Sequence, residues 1–443
     1  MNAGKINKIL DKELAEIKPY ENEIKKIKEA SKVIVEALKK ELKRKKMKAE
    51  VFIGGSLAKN TIIKKEKYDI DIFVRFDKKY SEDKIRENFD KLIKSVRIKK
   101  AKMKMVHGSR DYAQLNFEKV FFEIVPSLKV GKPGEARNVT DLSYFHVNYI
   151  VNKIKKKLFR KKLSSKRNKR KKLADEIMLA KAFCYAQDCY GAESYIRGFS
   201  GYALELLVAY YGSFLNFLKA IASLKNGKII IDSEKKYKNK QEIERELNSA
   251  KLESPIILID PTFKERNATA ALSAETFLKF KEACRKFLKN PSKTFFEKQE
   301  VDEEKLKKLA KRKKADFVCF TARTNKQAGD IAGSKLLKFY NLFAREIEKY
   351  FLVLEKAFKY NEKNEAEFFF VLKKKKEVIF SGPPIVAVEN MLAFKKRHKN
   401  CFIKNGKVYA REKSKNVRDF FKSFKEKNKE RIKNMSIINL SLS

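Results

Sequence analysis

Two aspartates, Asp69 and Asp71, stand two residues apart in the run Asp69-Ile70-Asp71-Ile72-Phe73-Val74-Arg75-Phe76. The alternation marks a strand, where residues two apart share a face. Both carboxylates therefore point one way while Ile70, Ile72 and Val74 face a core. Like charges this close oppose each other's ionisation unless a cation lies between them. Oxygen-only donors suit Mg²⁺, which keeps waters and takes substrate phosphates as further ligands. A third carboxylate, Glu123, sits alone in the apolar run Phe121-Phe122-Glu123-Ile124-Val125-Pro126. Taken alone, such an Asp-x-Asp pair reads more readily as the solvated face of a sheet.

The residues upstream change that reading. Val51-Phe52-Ile53 is a short strand that breaks at Gly54-Gly55, and Ser56 to Asn60 reads as a helix starting directly after the glycines. Glycines let a backbone approach a phosphate closely, and a helix start offers unpaired N–H groups. Ser56 adds a hydroxyl for a terminal phosphate oxygen.

These residues need a mixed α/β scaffold. Ile24, Ile27, Ile34, Leu38 and Leu42 mark a helix opened near Pro19, and Tyr112–Phe117 and Val120–Val125 are further strands. Between Lys153 and Lys172, 13 of 20 residues are Lys or Arg and none is acidic. Such a block repels itself and reads as a mobile arm or a frayed helix. Leu173 to Gln187 and Gly201 to Leu218 are helical, so the middle is mostly α. Toward the C-terminus, strands at 317–320 and 368–372 flank a helix with an apolar stripe at Leu336, Phe339, Tyr340, Phe343 and Ile347.

Composition narrows the function. The 443 residues carry 105 Lys+Arg against 56 Asp+Glu, a formal net charge of +49, which attracts polyanions. A lysine-biased genome accounts for part of that excess; the remainder favours nucleic acid over an anionic membrane. No apolar stretch is long enough to span a bilayer and the N-terminus lacks a signal-peptide block, so the expected location is the cytoplasm. Five scattered cysteines and three histidines argue against a disulfide framework, a zinc site or a His-rich metal centre.

The ordered set of strand, Gly-Gly-Ser, helix, Asp-x-Asp and a later strand carboxylate resembles the nucleotidyltransferase superfamily of DNA polymerase β. The block from Asp188 through Gly191, Arg197 and Gly201 to Glu205 is similar to the long signature of archaeal, class I CCA-adding enzymes. So is the block from Asp260 through Arg266 and Asn267 to Ser273. Weaker echoes lie at Pro291–Phe296, at Gly382 and at Phe402–Gly406, so the resemblance spans roughly residues 20 to 410.

The resemblance implies an α+β protein with three parts. These are a polymerase β-like catalytic head over 1–150 and a helical central domain over 151–275 with a basic insertion at 153–172. An α+β tRNA-binding region follows over 276–443. It implies template-independent addition of CCA to tRNA from CTP and ATP, with Mg²⁺ as cofactor and no membrane partner, and it allows a homodimer. Asp69, Asp71 and Glu123 fall on the catalytic, metal-binding carboxylates. Gly55, Ser56 and Lys59 fall on the triphosphate loop, and His146, Lys181 and Tyr190 on positions that contact the incoming nucleotide. Arg266 falls on an arginine that helps read its base. Each has a plainer alternative: a part-buried His146, an ordinary surface Lys181, a packing Tyr190, or an Arg266 paired with Glu265 or Asp260. Lys59 stands where arginine is usual and Glu123 where aspartate is usual, which bears on nucleotide affinity. A poly(A) polymerase, a small-molecule nucleotidyltransferase and a non-catalytic RNA-binding protein are the competing readings.

Overall fold

The structure, a computed structural model, describes residues 3–99, 101–108, 110–163, 171–225, 227–298 and 300–443. Its chain forms two compact units, one of Met1–Ala192 with Ile196–Lys298 and one of Glu193–Tyr195 with Gln299–Ser443.

The first unit begins with α1 (Ala3–Ile17) and α2 (Glu21–Arg44). Strand β1 (Ala49–Ile53) leads through the glycines into α3 (Gly55–Lys59) and then β2 (Tyr68–Asp77). After α4 (Glu82–Ser95) come β3 (Met103–Val106), β4 (Tyr112–Phe117) and β5 (Val120–Lys129). The five strands make a mixed sheet in the order β1-β2-β5-β4-β3. Only β2 and β5 run parallel, with α4 in the crossover between them. Ile70, Ile72, Val74 and Phe76 of β2 and Phe122 and Ile124 of β5 pack one face of the sheet against Ile27, Ile34 and Leu38 of α2 and Phe89 and Leu92 of α4. Period-two alternation therefore turns Asp69, Asp71 and Glu123 to the opposite face.

A second core in the same unit is helical. It joins α5 (Ser143–Leu163), α6 (Leu173–Ala186), α7 (Gly201–Tyr211), α8 (Phe214–Ser223) and the helix Ala274–Lys289 around Phe183, Phe214, Phe217, Phe280 and Phe287. Two sequence expectations change here. The helix expected over 201–218 is two helices, because Gly212 takes φ +80° and ends α7. The N-terminal segment, for which no element was expected, is a helix whose Ile6, Leu10 and Leu14 pack into this second core. The unit runs on to Lys298, with Ala274–Lys289 laying Phe277, Phe280 and Phe287 against α8 and α6. Of the basic block 153–172, the last turns of α5 and the two lysines that precede α6, Lys171 and Lys172, are described, and residues 164–170 lie outside the described residues.

The second unit holds a four-stranded antiparallel sheet in the order Ile437–Leu442, Asp316–Thr324, Glu365–Lys374 and Phe351–Tyr360. Helices Asp330–Tyr350 and Val417–Lys427 cover one face around Phe320, Phe343, Phe368 and Phe370, and Glu303–Lys313 covers the other around Phe369 and Val371. Both faces of the run Phe368–Leu372 are thus buried, which is why it reads as a continuous apolar stretch. A smaller three-stranded sheet pairs Val378–Pro384, Lys407–Glu412 and Cys401–Lys404. Among the described residues no single helix is long and apolar enough to cross a membrane.

Candidate active site

The register places Asp71 directly opposite Glu123 across the parallel β2–β5 pair. The two reach the same face of adjacent strands, and Gln114 of β4 donates to Glu123 Oε1 at 2.9 Å. Asp69 sits one pleat away, exposed, where Lys65 Nζ lies 3.0 Å from its Oδ2. Burial, followed by the repulsion of Glu123, pushes the Asp71 carboxyl up to about 6, against the pull of Lys59 and Lys181.

The glycine turn is built onto this carboxylate. Gly54 N–H donates to the Asp71 carbonyl at 2.8 Å. Gly55 holds φ +56°, and a Cβ there would stand 1.8 Å from Asp71 Oδ2. A left-handed turn in contact with a side chain admits no residue larger than glycine. Ser56 follows in the first turn of α3, a helix of only five residues that Asn60 closes in the left-handed conformation.

The cations expected at the nucleotide are not spread over a solvated loop. Lys59 is buried, with Nζ 2.6 Å from Glu205 Oε2. Lys181 of α6 lies 2.8 Å from Glu205 Oε1 and donates to Thr61 Oγ1 at 2.9 Å. Burial alone would raise the Glu205 carboxyl, but the two ammoniums more than offset it and hold it below the usual carboxylate range. The Tyr190 ring reaches the start of α7, so that a Cβ on Gly201 would meet its hydroxyl at 2.9 Å and Lys181 Cε at 4.0 Å.

A second polar cluster gathers on Asp260, at the stem of the loop that follows β7 (Ile256–Leu258), a strand paired with β6 (Ile229–Ile231). Asp260 N–H donates to the Arg266 carbonyl at 2.9 Å, which closes that loop. The fully buried carboxylate meets Arg266 Nη1 at 2.8 Å, His146 Nε2 at 3.0 Å and the Tyr202 hydroxyl at 3.0 Å. Thr262 adds its hydroxyl at 2.7 Å and its N–H at 2.9 Å. His146 stacks on Tyr202 with ring centroids 4.0 Å apart, and its burial depresses the imidazole pKa despite the neighbouring Asp260. Asp260 is held far below the usual range: burial opposes this, and the His146 and Arg266 contacts overcome it.

The structure thus brings Asp71 to Glu123, Lys59 to Lys181, and His146 to Arg266, and leaves Asp69 on Lys65. Sequence reasoning did not single out Glu205, Thr61 or Asp260 as parts of the site. Glu205 carries the same signal that exposed Glu123, a lone acid in an apolar run, here Ala203-Leu204-Glu205-Leu206-Leu207. Asp260 likewise ends an apolar strand.

Among the described residues no group of three or more His, Cys, Asp or Glu side chains gathers closely enough to hold a metal ion by itself. The facing Asp71–Glu123 pair, with one acid pushed toward neutrality by burial and by its partner, is nonetheless the donor chemistry that a hard divalent cation relieves.

A mixed sheet with paired carboxylates on one face and a glycine turn seated against one of them is the arrangement expected of a nucleotidyltransferase head of the polymerase β type. Residues 5–143 match the model of the second messenger oligonucleotide or dinucleotide synthetase domain, and 175–297 match the tRNA nucleotidyltransferase second domain. The CCA-adding enzyme of Nanoarchaeum equitans is 42% identical over 228 residues, 52% of this chain and 52% of that protein. That of Methanocaldococcus jannaschii is 28% identical over 413 residues, 91% of this chain and 87% of that protein. A solved structure of the Cid1 poly(U) polymerase is 15% identical with a TM-score of 0.49, covering 67% of this chain and 99% of that one. The chain is thus similar to the archaeal CCA-adding enzymes, and the two stretches that match these family models, 5–143 and 175–297, lie in one compact unit.

Proposed function

We propose that this protein adds CCA to the 3′ end of tRNA, without a template, from CTP and ATP with release of pyrophosphate. The observation that carries the reading is the Asp71–Glu123 pair seated against Gly55, in a chain that matches CCA-adding enzymes over most of its length. Asp71 and Glu123 would hold a divalent metal such as Mg²⁺, joined by Asp69 once it leaves Lys65. When bound, the metal supplies positive charge to the transferring phosphoryl group and acidifies the attacking 3′-hydroxyl.

The protein's own groups do the rest. Gly55 lets a phosphate approach the backbone and Ser56 offers it a hydroxyl. Lys59 and Lys181 bring two positive charges beside the acids, and Tyr190 lines their approach. Arg266, held by Asp260, presents fixed donors to a base edge, with His146 on the same carboxylate. The net charge of +49 favours a polyanion such as tRNA in the cytoplasm. We assign the head to 1–150, the central domain to 151–275 and tRNA binding to 276–443.

One incubation tests the reading: tRNA lacking CCA, Mg²⁺, and CTP or ATP alone and together. CTP alone should extend the RNA by the two cytidines, and both nucleotides should complete CCA and stop. A long adenosine tail, or refusal of CTP, would transfer the assignment to a poly(A) polymerase.

A further inference from the structure

Glu205 is fully buried within α7, yet it serves two lysines rather than one. Its oxygens are divided between them: Oε2 lies 2.6 Å from Lys59 Nζ and Oε1 lies 2.8 Å from Lys181 Nζ. The lysines come from α3 and α6, so one carboxylate fixes two cations that are remote in sequence. Lys59 ends the short helix whose first residue, Gly55, packs on the Asp71 carboxylate, which puts the pair beside the acidic site.

A glutamate whose task was only to tie α7 to α3 would need a single lysine. The second adds positive charge to a dry place, where unbalanced charge is costly. An ammonium has three N–H donors, and Glu205 and Thr61 do not use all those of either lysine. Two cations held at a set spacing, each with donors left over, match a polyphosphate better than they match a packing role. Such preorganisation would aid binding because the lysines would not have to be ordered when the ligand arrives.

We propose that Glu205 is a positioning residue for the triphosphate of the incoming nucleotide, setting where Lys59 and Lys181 stand; this rests on the nucleotidyl-transfer reading above. Thr61 supports it by fixing the second lysine from its other side.

Steady-state kinetics on tRNA lacking CCA, with CTP and ATP varied separately, test this in the full-length protein. Glu205→Gln keeps the shape and removes the charge. It should raise KM for both nucleotides by about tenfold, the scale of one charge-assisted hydrogen bond, with kcat held within about threefold. In a Lys59→Met/Lys181→Met background the same change should add nothing, because the residues it acts through are gone. A fall in kcat at unchanged KM, a lower KM, or the full effect persisting in the lysine-free background would each overturn the proposal. Should Glu205→Gln not fold, Glu205→Asp keeps the charge on a shorter arm that cannot serve both ammoniums. It should show the same rise in KM, and an unchanged KM would overturn the idea. Parent protein that adds no nucleotide at all would instead overturn the functional reading itself.

Discussion

Two charged clusters in the first unit are built on opposite terms. Around Glu205, one acid meets two lysines and a hydroxyl, every partner is within hydrogen-bonding distance, and the group is shut away from water. Around Asp71, acid faces acid across the parallel strand pair. The first cluster is electrostatically answered by the protein. In the second, burial and the facing acid raise the Asp71 carboxyl despite the pull of Lys59 and Lys181. Stability concentrates in the one and reactivity in the other, although both use the same few residue types.

The largest expected effect comes from breaking the cluster of facing acids. Asp71→Asn should lower addition of C and of A alike by at least about a hundredfold, while tRNA affinity in filter binding stays near the parent's. Survival of C addition with loss of A addition would mean two separate sites and end the single-site mechanism.

The same substitution should have the opposite sign for stability. A carboxyl raised to about 6 in the folded protein stabilises it below the unfolded value and loses that contribution as pH climbs from about 4 to about 6. In metal-free buffer at pH 7, Asp71→Asn should therefore be more stable than the parent, by at most about 3 kcal/mol at 1.36 kcal/mol per unit. The gain should vanish near pH 4. Thermal unfolding at the two pH values checks it, and added Mg²⁺ should raise the parent's Tm and not the variant's.

The answered cluster should behave conversely. Lys181→Met leaves Glu205 with one ammonium in a dry site and should cost about 1–3 kcal/mol in urea denaturation at pH 7. Because the Glu205 carboxyl is held low by its partners, its contribution is present above the unfolded carboxylate pKa. It fades as pH falls through the folded value, so parent and variant should converge in acid. A cost that did not shrink would mean packing, not charge, holds the cluster.

The smallest effect belongs to cations that neither cluster uses. Neutralising the 153–172 block should leave the fold intact and make the salt dependence of tRNA binding shallower, by about one unit of slope for each phosphate it no longer neutralises. An unchanged slope would show that the block never meets RNA.

Much of the acidic cluster was legible. Period two put Asp69 and Asp71 on one face, and Glu123 stood out in an apolar strand. What periodicity could not supply was the register, because β2 and β5 meet through a crossover and nothing local fixes which residue faces Asp71. The answered cluster was less legible still. Lys59 and Lys181 are two among 105 basic residues, and only tertiary packing shows that they share Glu205. The break at Gly212 went unread because a lone glycine in an apolar run does not declare a left-handed φ.

The contact between Gly55 and Asp71 carries a genetic consequence. Any side chain at position 55 would have to evict the carboxylate that the chemistry needs, so the two positions should score alike in a screen for lost function. Gly55 would then register as indispensable while contributing no reactive atom, and an inventory of essential residues drawn from such a screen would include, beside the acids, the empty space that lets one of them stand where it does.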